Sequence, residues 1–237
     1  MNVGVASWLP SVTGFVRRTW LRHRWSVPLA IGSALSFVHL AGEMNEGEMD
    51  PFDLGAQRVI DAWRGSIDKV MLTLTTGGGF LPMTVLTSAA FAALVGVRRF
   101  REARYLLLGA GGGVLLNVAL KALFHRARPG AALAYILATP SSLSFPSGHT
   151  MGTTGVVASL VVVLHAVRAP RAVRWAAIVG GSAVIAGVGV SRVYFGAHYP
   201  SDVVGGFLAA AAWVSAVTGL MYPRLLPGEA AVTAPVG

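Results

Sequence analysis

The stretch that decides the fold is FPSGHTMGTTGVVASLVVVLHAV, residues 145–167. From 150 to 167 it holds no Asp, Glu, Lys or Arg. An α-helix needs about 20 mostly apolar residues to cross a hydrocarbon core of ~30 Å, and this run approaches that length. It is too long and too evenly apolar for a membrane β-strand, which alternates with period two. Five further charge-poor runs lie near 26–42, 80–97, 105–124, 175–191 and 203–221. The first is the most polar, with Ser26, Ser33, Ser36 and His39, and the third holds a cation, Lys121. Six runs predict an all-α, polytopic membrane bundle of six transmembrane helices. No internal repeat and no interdomain linker interrupts them, so 1–237 reads as one domain. Within it a basic segment occupies 1–25, the bundle 26–221, and a Pro-, Ala- and Gly-rich tail of disordered composition 225–237.

Composition agrees. Hydrophobic residues make up 54% of the chain and charged residues 12%; the mean hydropathy is +0.63. A water-soluble domain carries about 25% charged residues, so a soluble enzyme, a nucleic-acid binder and a disordered chain are all disfavoured. The absence of cysteine removes disulfides, thiolate metal sites and a cysteine nucleophile. A net charge of +9 could suggest nucleic acid, but the placement of the charges argues otherwise.

Arg17, Arg18, Arg22 and Arg24 precede the first run. Arg98, Arg99, Arg101 and Arg104 separate the second from the third, Arg168, Arg171 and Arg174 the fourth from the fifth, and Arg224 follows the sixth. With six spans these clusters share one side, which the positive-inside rule makes cytoplasmic, together with both termini. The segment 43–69 falls on the other side and holds seven of the ten acids. The N-terminus lacks the small-residue cleavage site of a secretory signal. Its mixture of Trp8, Phe15, Trp20 and Trp25 with arginines suits an interfacial amphipathic helix or a basic tail. Trp25, Trp63 and Trp175 suit interfacial belts. His39 and His165, inside apolar runs, read as buried, hydrogen-bonded histidines. Gly77-Gly78-Gly79 and Gly111-Gly112-Gly113 lack the Gly-Lys-Ser/Thr of a phosphate-binding P-loop and read as helix-packing residues.

Three polar groups are left over: KALFHRARP at 121–129, FPSGH at 145–149 and SRVYFGAHYPSD at 191–202. By this topology all three lie at the outer end of the bundle, where the charge rule disfavours Lys121, Arg126, Arg128 and Arg192. Ionisable groups at membrane depth are costly and mark functional sites. Pro146 precedes a helix start, and outward amides of Ser147 and Gly148 would form an anion cradle. Lys121, Arg128 and Arg192 would add fixed charge, matching the spread charge of a phosphoryl group in its transition state. His198 and Asp202 are four apart. If Pro200 starts the sixth helix, Asp202 reaches one ring nitrogen and leaves the other to attack. His149 would then serve as general acid toward the leaving oxygen and general base toward water.

These groups resemble the signature of the type 2 phosphatidic acid phosphatase (PAP2) superfamily, K-x6-RP, PSGH and SR-x5-H-x3-D. Lys121 is followed after six residues by Arg128-Pro129; then come Pro146-Ser147-Gly148-His149; then Ser191-Arg192, His198 five residues on, and Asp202 after three more. No signature position departs, and the gaps of 16 and 41 residues suit the family. The resemblance implies that His198 becomes a phosphohistidine, that Asp202 orients it and that His149 is the acid and base. It implies that Lys121, Arg128, Ser147, Gly148 and Arg192 bind phosphate, with no cofactor and no metal.

Each group also has a plainer reading on its own. Lys121, Arg126 and Arg128 could snorkel at a helix end, Pro-Ser-Gly could merely start a helix, and Asp202 could be an acid in a first turn. The full ordered pattern favours chemistry for the signature residues; Arg126 and His125 stand outside it. The expected function is a membrane phosphatase acting on a lipid phosphate or diphosphate, such as undecaprenyl diphosphate, phosphatidylglycerophosphate or phosphatidate, in a bacterial inner membrane with its site facing outward. The charge-free stretch 129–167 leaves room for a short wall or lid near 131–137. A phosphotransferase with a non-water acceptor would use the same residues. An anion transporter would place them at broken helices in the midplane instead. A soluble haloperoxidase with similar motifs is excluded by the six apolar runs. No nucleic-acid partner is expected; oligomeric state and the particular lipid are not legible.

Overall fold

The computed structural model describes residues 25–129 and 143–225, with side chains through 221. Most of the basic N-terminal segment, the wall or lid near 131–137 and the tail beyond 225 lie outside the described residues. Every element within them is a helix. In chain order these are α1 (Ser26–Asn45), α2 (Asp50–Asp61), α3 (Asp68–Gly77), α4 (Phe80–Gly96), α5 (Phe100–Phe124), α6 (Gly148–Ala166), α7 (Arg171–Tyr194) and α8 (Pro200–Leu225). Helices α1, α5, α6, α7 and α8 are long and apolar enough to cross a membrane. The pair α3 and α4, bent by 47° at Gly78 and Gly79, passes the same test when taken together and is the sixth candidate span. Isolated 17-residue α4 is near the lower limit of spanning length, and α3 extends it.

The helices run past the apolar runs at their ends. Arg101 and Arg104, read from sequence as lying between spans, already belong to α5 together with Glu102; Arg192 belongs to the last turn of α7. Hydropathy marks only the hydrocarbon-facing part of a helix. The backbone continues helical through the interface, where charged heads reach water and partners such as Arg99 and Glu102 pair at 3.1 Å.

Among the described residues, three helices are followed by a non-glycine residue in left-handed backbone. Arg98 and Arg168 take left-handed backbone (φ 59° and 56°) after α4 and α6, and His125 does so (φ 48°) after α5. Helix α5 contains a π-helical turn at Leu107–Gly111. Just beyond it Gly112 faces the indole of Trp213, whose Nε1 donates to the Leu108 carbonyl at 3.0 Å. The second glycine triplet is thus a helix contact, and the first contributes the α3–α4 break.

Helices α6 and α8 form the centre, α8 against α1, α5 and α6, and α6 also against α4 and α7. These two helices bury small or weakly polar residues: on α6 Thr153 lies against Gly78, and Gly155 and Ser159 lie against Gly109 of α5, while on α8 Gly206 lies against Ser147 and Thr150 at the start of α6, and Ala209 and Ala210 are buried. In lipid such residues let backbones approach, so van der Waals contact supplies the association. At the site end Phe37, Phe124 and Phe145 pack with ring centroids 5.1–5.9 Å apart. Large side chains such as Leu35, Val38, Leu115, Val118 and Val179 point outward, as a lipid-facing surface requires. His39 is a correction. Its side chain is 76% exposed and pairs with Glu43 at 3.1 Å, because α1 turns it away from the bundle. His165 is half-buried and bonds the Val161 carbonyl.

Helix α2 inverts the usual amphipathic pattern. It buries Asp53 and Gln57 and exposes Phe52, Leu54 and Val59. Its polar face lies on the polar end of the bundle: Gln57 donates to the Val193 carbonyl, and Asp53 accepts from Ser201 at the start of α8.

Candidate active site

Pro200 does start α8, and this places Asp202 in its first turn. Asp202 is fully buried, and its carboxylate is saturated with donors. Oδ1 accepts from Arg126 Nη1 at 2.7 Å. Oδ2 accepts from the Tyr199 amide at 2.9 Å and from Ser144 Oγ, and faces His198 Nδ1 at 3.4 Å. The Asp202 carbonyl accepts the Ser147 amide at 2.9 Å. One residue therefore ties all three polar segments together at one end of the bundle.

His198 is 1% exposed. Nδ1 is turned toward Asp202 and Ser144, so Nε2 faces away from the carboxylate. Burial pushes its ring down to about 4; Asp202 opposes this, while Arg128 and Arg192 add to it. The imidazole is therefore neutral at neutral pH and keeps the lone pair that a nucleophile needs.

The cations surround this ring. Lys121 Nζ donates to the carbonyls of Leu143 and Ser144, which fastens the end of α5 to the strand of chain entering α6. Arg128 Nη1 donates to the Ala197 carbonyl at 3.1 Å, beside His198. Arg128 is lowered from its ordinary value by burial, against the pull of Asp202. Arg192 is 4% exposed and donates through Nη1 to Thr75 Oγ1 at 2.7 Å. Its Nε is buried with no hydrogen-bond partner among the described residues. Leaving such a donor unpaired costs about 1–3 kcal/mol, which an anion's oxygen would recover.

Ser147 caps α6, its hydroxyl accepting from the Thr150 amide at 3.5 Å. The expectation of an outward Ser147 amide needs correcting, since the Asp202 carbonyl takes it. The open amides are those of Gly148 and His149, which have no acceptor among the described residues. Asn117 braces this turn by donating to the Pro146 carbonyl at 3.3 Å. His149 has Arg192, Arg128 and Lys121 as charged neighbours and lies close to His198. Gly79, at the α3–α4 break, lies against its ring; a Cβ there would sit 3.7 Å from Nε2. Among the described residues no three His, Cys, Asp or Glu side chains converge as a metal site would require.

Residues 102–225 match the PAP2 superfamily, just over half of the chain. The chain belongs to the PAP2 superfamily. Phosphatidylglycerophosphatase B of Bacillus subtilis is 34% identical over 146 residues, 60% of this chain and 68% of that protein. Decaprenylphosphoryl-5-phosphoribose phosphatase of Mycobacterium tuberculosis is 36% identical over 135 residues, 56% of this chain and 68% of that protein. The crystal structure of a transmembrane PAP2-type phosphatidylglycerolphosphate phosphatase from Bacillus subtilis superposes with a TM-score of 0.74 at 25% identity, over 83% of this chain and 97% of that one. This PAP2 protein is a multi-pass membrane phosphatase.

Several residues of this PAP2 site escaped the sequence reading. Ser144 bonds both Asp202 and His198 but precedes the PSGH run by two positions. Asn117 sits inside an apolar run, and Thr75 in the short stretch before the run at 80–97. Asp53 is one of seven acids in 43–69, where overall charge hides a single buried carboxylate. Arg126, which lies between the signature positions, pairs with Asp53 at 2.8 Å and stacks 4.2 Å from the Tyr199 ring centroid. Burial opposes its charge, but Asp202 and Asp53 outweigh that and hold it above its ordinary value. His125 is the left-handed residue closing α5, and its ring is exposed.

Proposed function

We propose that the chain hydrolyses a lipid phosphate or diphosphate monoester through a phosphohistidine on His198, at the extracytoplasmic face of a bacterial inner membrane. The observation that carries this reading is the convergence on Asp202 of Arg126, Ser144, Ser147 and His198, with Lys121, Arg128 and Arg192 around the same imidazole.

In the first half-reaction His198 Nε2 attacks phosphorus and forms the P–N bond as the P–O bond to the lipid breaks. His149 gives its proton to the leaving oxygen. In the second, His149 takes a proton from water, whose oxygen attacks phosphorus and breaks the P–N bond, releasing inorganic phosphate and neutral His198. Asp202 holds the ring tautomer and supports the cation that forms on it. Lys121, Arg128, Arg192 and the Gly148 and His149 amides face the phosphoryl oxygens, where such donors lower the barrier most.

A lateral cavity of about 490 Å³ supports a lipid substrate. It reaches Gly148 and His149 and is walled by Met83, Thr87, Leu107 and Val114 of α4 and α5. An acyl or prenyl chain would lie there with its phosphate at the bundle's polar end. The clustering of arginines on the opposite end supports an outward site and inward termini. The names of the relatives support a phosphate monoester on a lipid.

Purified protein given a panel of lipid phosphates and diphosphates should release inorganic phosphate, with His198→Ala inactive. Near-wild-type turnover by folded His198→Ala would overturn the mechanism. Adding candidate acceptor lipids tests transfer against hydrolysis in the same assay, and phosphorylated acceptor in place of free phosphate would replace hydrolysis with transfer.

A further inference from the structure

We infer that Asp53 neutralises Arg126, so that Asp202 keeps its negative charge for His198. The inference rests on the proposed role of His198 as the attacking group.

Arg126 donates to three oxygens of a buried cluster: Ser201 Oγ at 2.7 Å, Asp202 Oδ1 at 2.7 Å and Asp53 Oδ2 at 2.8 Å. Asp53 is 2% exposed, and Ser201 and Asp202 are fully buried. Asp53 also receives the Ser201 amide on Oδ1 at 2.8 Å and the Ser201 hydroxyl on Oδ2 at 2.6 Å. A carboxylate from α2 therefore caps α8 one residue before Asp202.

Charge decides what this arrangement does. Lys121 and Arg128 act on Asp202 from a distance, and two basic groups touch it: the permanent guanidinium of Arg126, and the ring of His198, on which an imidazolium develops when its nitrogen bonds phosphorus. Asp202 and Arg126 alone sum to zero, and a neutral pair gives little field at the ring. Adding Asp53 leaves the cluster at minus one, with Asp202 Oδ2 the oxygen nearest His198. In a buried site that remaining charge is screened less than it would be in water. Asp53 touches no reacting atom. It is a positioning residue acting through Arg126 and Asp202, on a helix outside the three signature segments.

A helix cap alone would explain Asp53 equally well by geometry, so the experiment must separate charge from shape. Phosphate release is measured from a lipid phosphate with purified full-length Asp53→Asn, Asp53→Glu and Asp53→Asn/Arg126→Gln, each checked for monodispersity in detergent. Asparagine keeps the oxygen facing the Ser201 amide but loses the charge; kcat should fall at least about tenfold while KM changes less than about threefold. Glutamate keeps the charge and should restore kcat to within about fivefold of wild type. In the double variant both charges are gone, and kcat should exceed that of Asp53→Asn by about fivefold or more. Wild-type kcat in Asp53→Asn, equal losses in Asn and Glu, or no recovery in the double variant would each overturn the inference. Should Asp53→Asn fail to fold, Asp53→Glu decides alone, since a loss beyond about tenfold in a folded, correctly charged variant contradicts a charge role. His198→Ala is run alongside. If it stays active, the proposed function has failed; if it is dead while Asp53→Asn is unimpaired, only this inference has.

Discussion

The backbone amide of Ser147 donates to the backbone carbonyl of Asp202 across 2.9 Å. The bond joins the start of α6 to the start of α8, two points 55 residues apart. It fixes the turn presenting the Gly148 and His149 amides relative to the carboxylate that orients His198. The proposed phosphate cradle and the proposed nucleophile are thereby held by one main-chain contact.

That contact requires α8 to pass α6 closely, and Gly206 permits it. A Cβ there would lie 2.7 Å from the Ser147 carbonyl oxygen and 3.3 Å from Thr150 Cβ. Gly206→Ala should destabilise the protein by about 1–3 kcal/mol and lower turnover, as overpacking does. Gly180→Ala on α7, with nothing within 4 Å of the new Cβ, is the control. Thermal unfolding in detergent compares the two; equal midpoints would mean the α6–α8 contact is not tight.

His149→Ala should lower the steady-state rate by about 10²–10⁴-fold, the range for loss of a general acid and base. Because the proposed mechanism uses His149 in both half-reactions, a substrate with a good leaving group should restore formation of the phosphoenzyme but not its hydrolysis. Acid-labile, base-stable label should then accumulate on His149→Ala and be missing from His198→Ala. Label on both, or on neither, would reassign the roles.

The acidic range tests the burial of His198. Its folded value, about 4, lies below the roughly 6.5 of a free imidazole. Between those values the unfolded chain binds more protons, so stability is full above pH 6.5 and is lost as pH falls toward 4. The loss amounts to about 3 kcal/mol for a shift of this size. A His198→Gln variant lacks this titration, so the wild type should lose more stability than the variant over that window. Parallel stability curves would show that the ring is hydrated.

Much of this was legible in the sequence because lipid imposes simple rules. A span must be helical and apolar, so the helices announced themselves as runs, and the charges that broke the rule, Lys121, Arg128 and Arg192, pointed to the candidate site. What the runs could not show was where a helix stops at an interface, hence the extension of α7 to Tyr194. They also could not show which face is buried, hence His39. Asp53 stayed hidden for a related reason: its burial comes from contact with Ser201 and Arg126, 148 and 73 residues away, and no local pattern encodes that. Ser144, Thr75 and Asn117 are single polar atoms that acquire meaning only from the group they face.

Arg192 offers a test of phosphate binding apart from the nucleophile. Its unpaired Nε and its position beside His149 and His198 suit a phosphoryl oxygen. Arg192→Gln should weaken inhibition by vanadate or inorganic phosphate by at least about tenfold and lower kcat by about 10²–10³-fold, as expected of a donor aimed at transition-state charge. Chelators should leave the wild-type rate unchanged. Unaltered inhibition in the variant would place the anion elsewhere.

A lipid chain in the lateral cavity would separate recognition of the lipid from chemistry on its phosphate. Thr87 lies in the α4 wall of that cavity, half-buried, with its hydroxyl spent on the Met83 carbonyl at 2.8 Å. Phenylalanine at this position adds volume inside the cavity without touching the cationic end. If a lipid chain occupies the space, Thr87→Phe should lower kcat/KM for a long-chain lipid phosphate by about tenfold, since pocket contacts of this size decide substrate preference. A water-soluble short-chain phosphate has no tail to place, and its kcat/KM should change less than about twofold. Equal losses on both substrates would mean that the substitution disturbs α6 and His149 rather than a tail. Equal retention would mean that the chain enters between other helices, with the groove beside Val203 and Phe207 on α8 the next wall to fill.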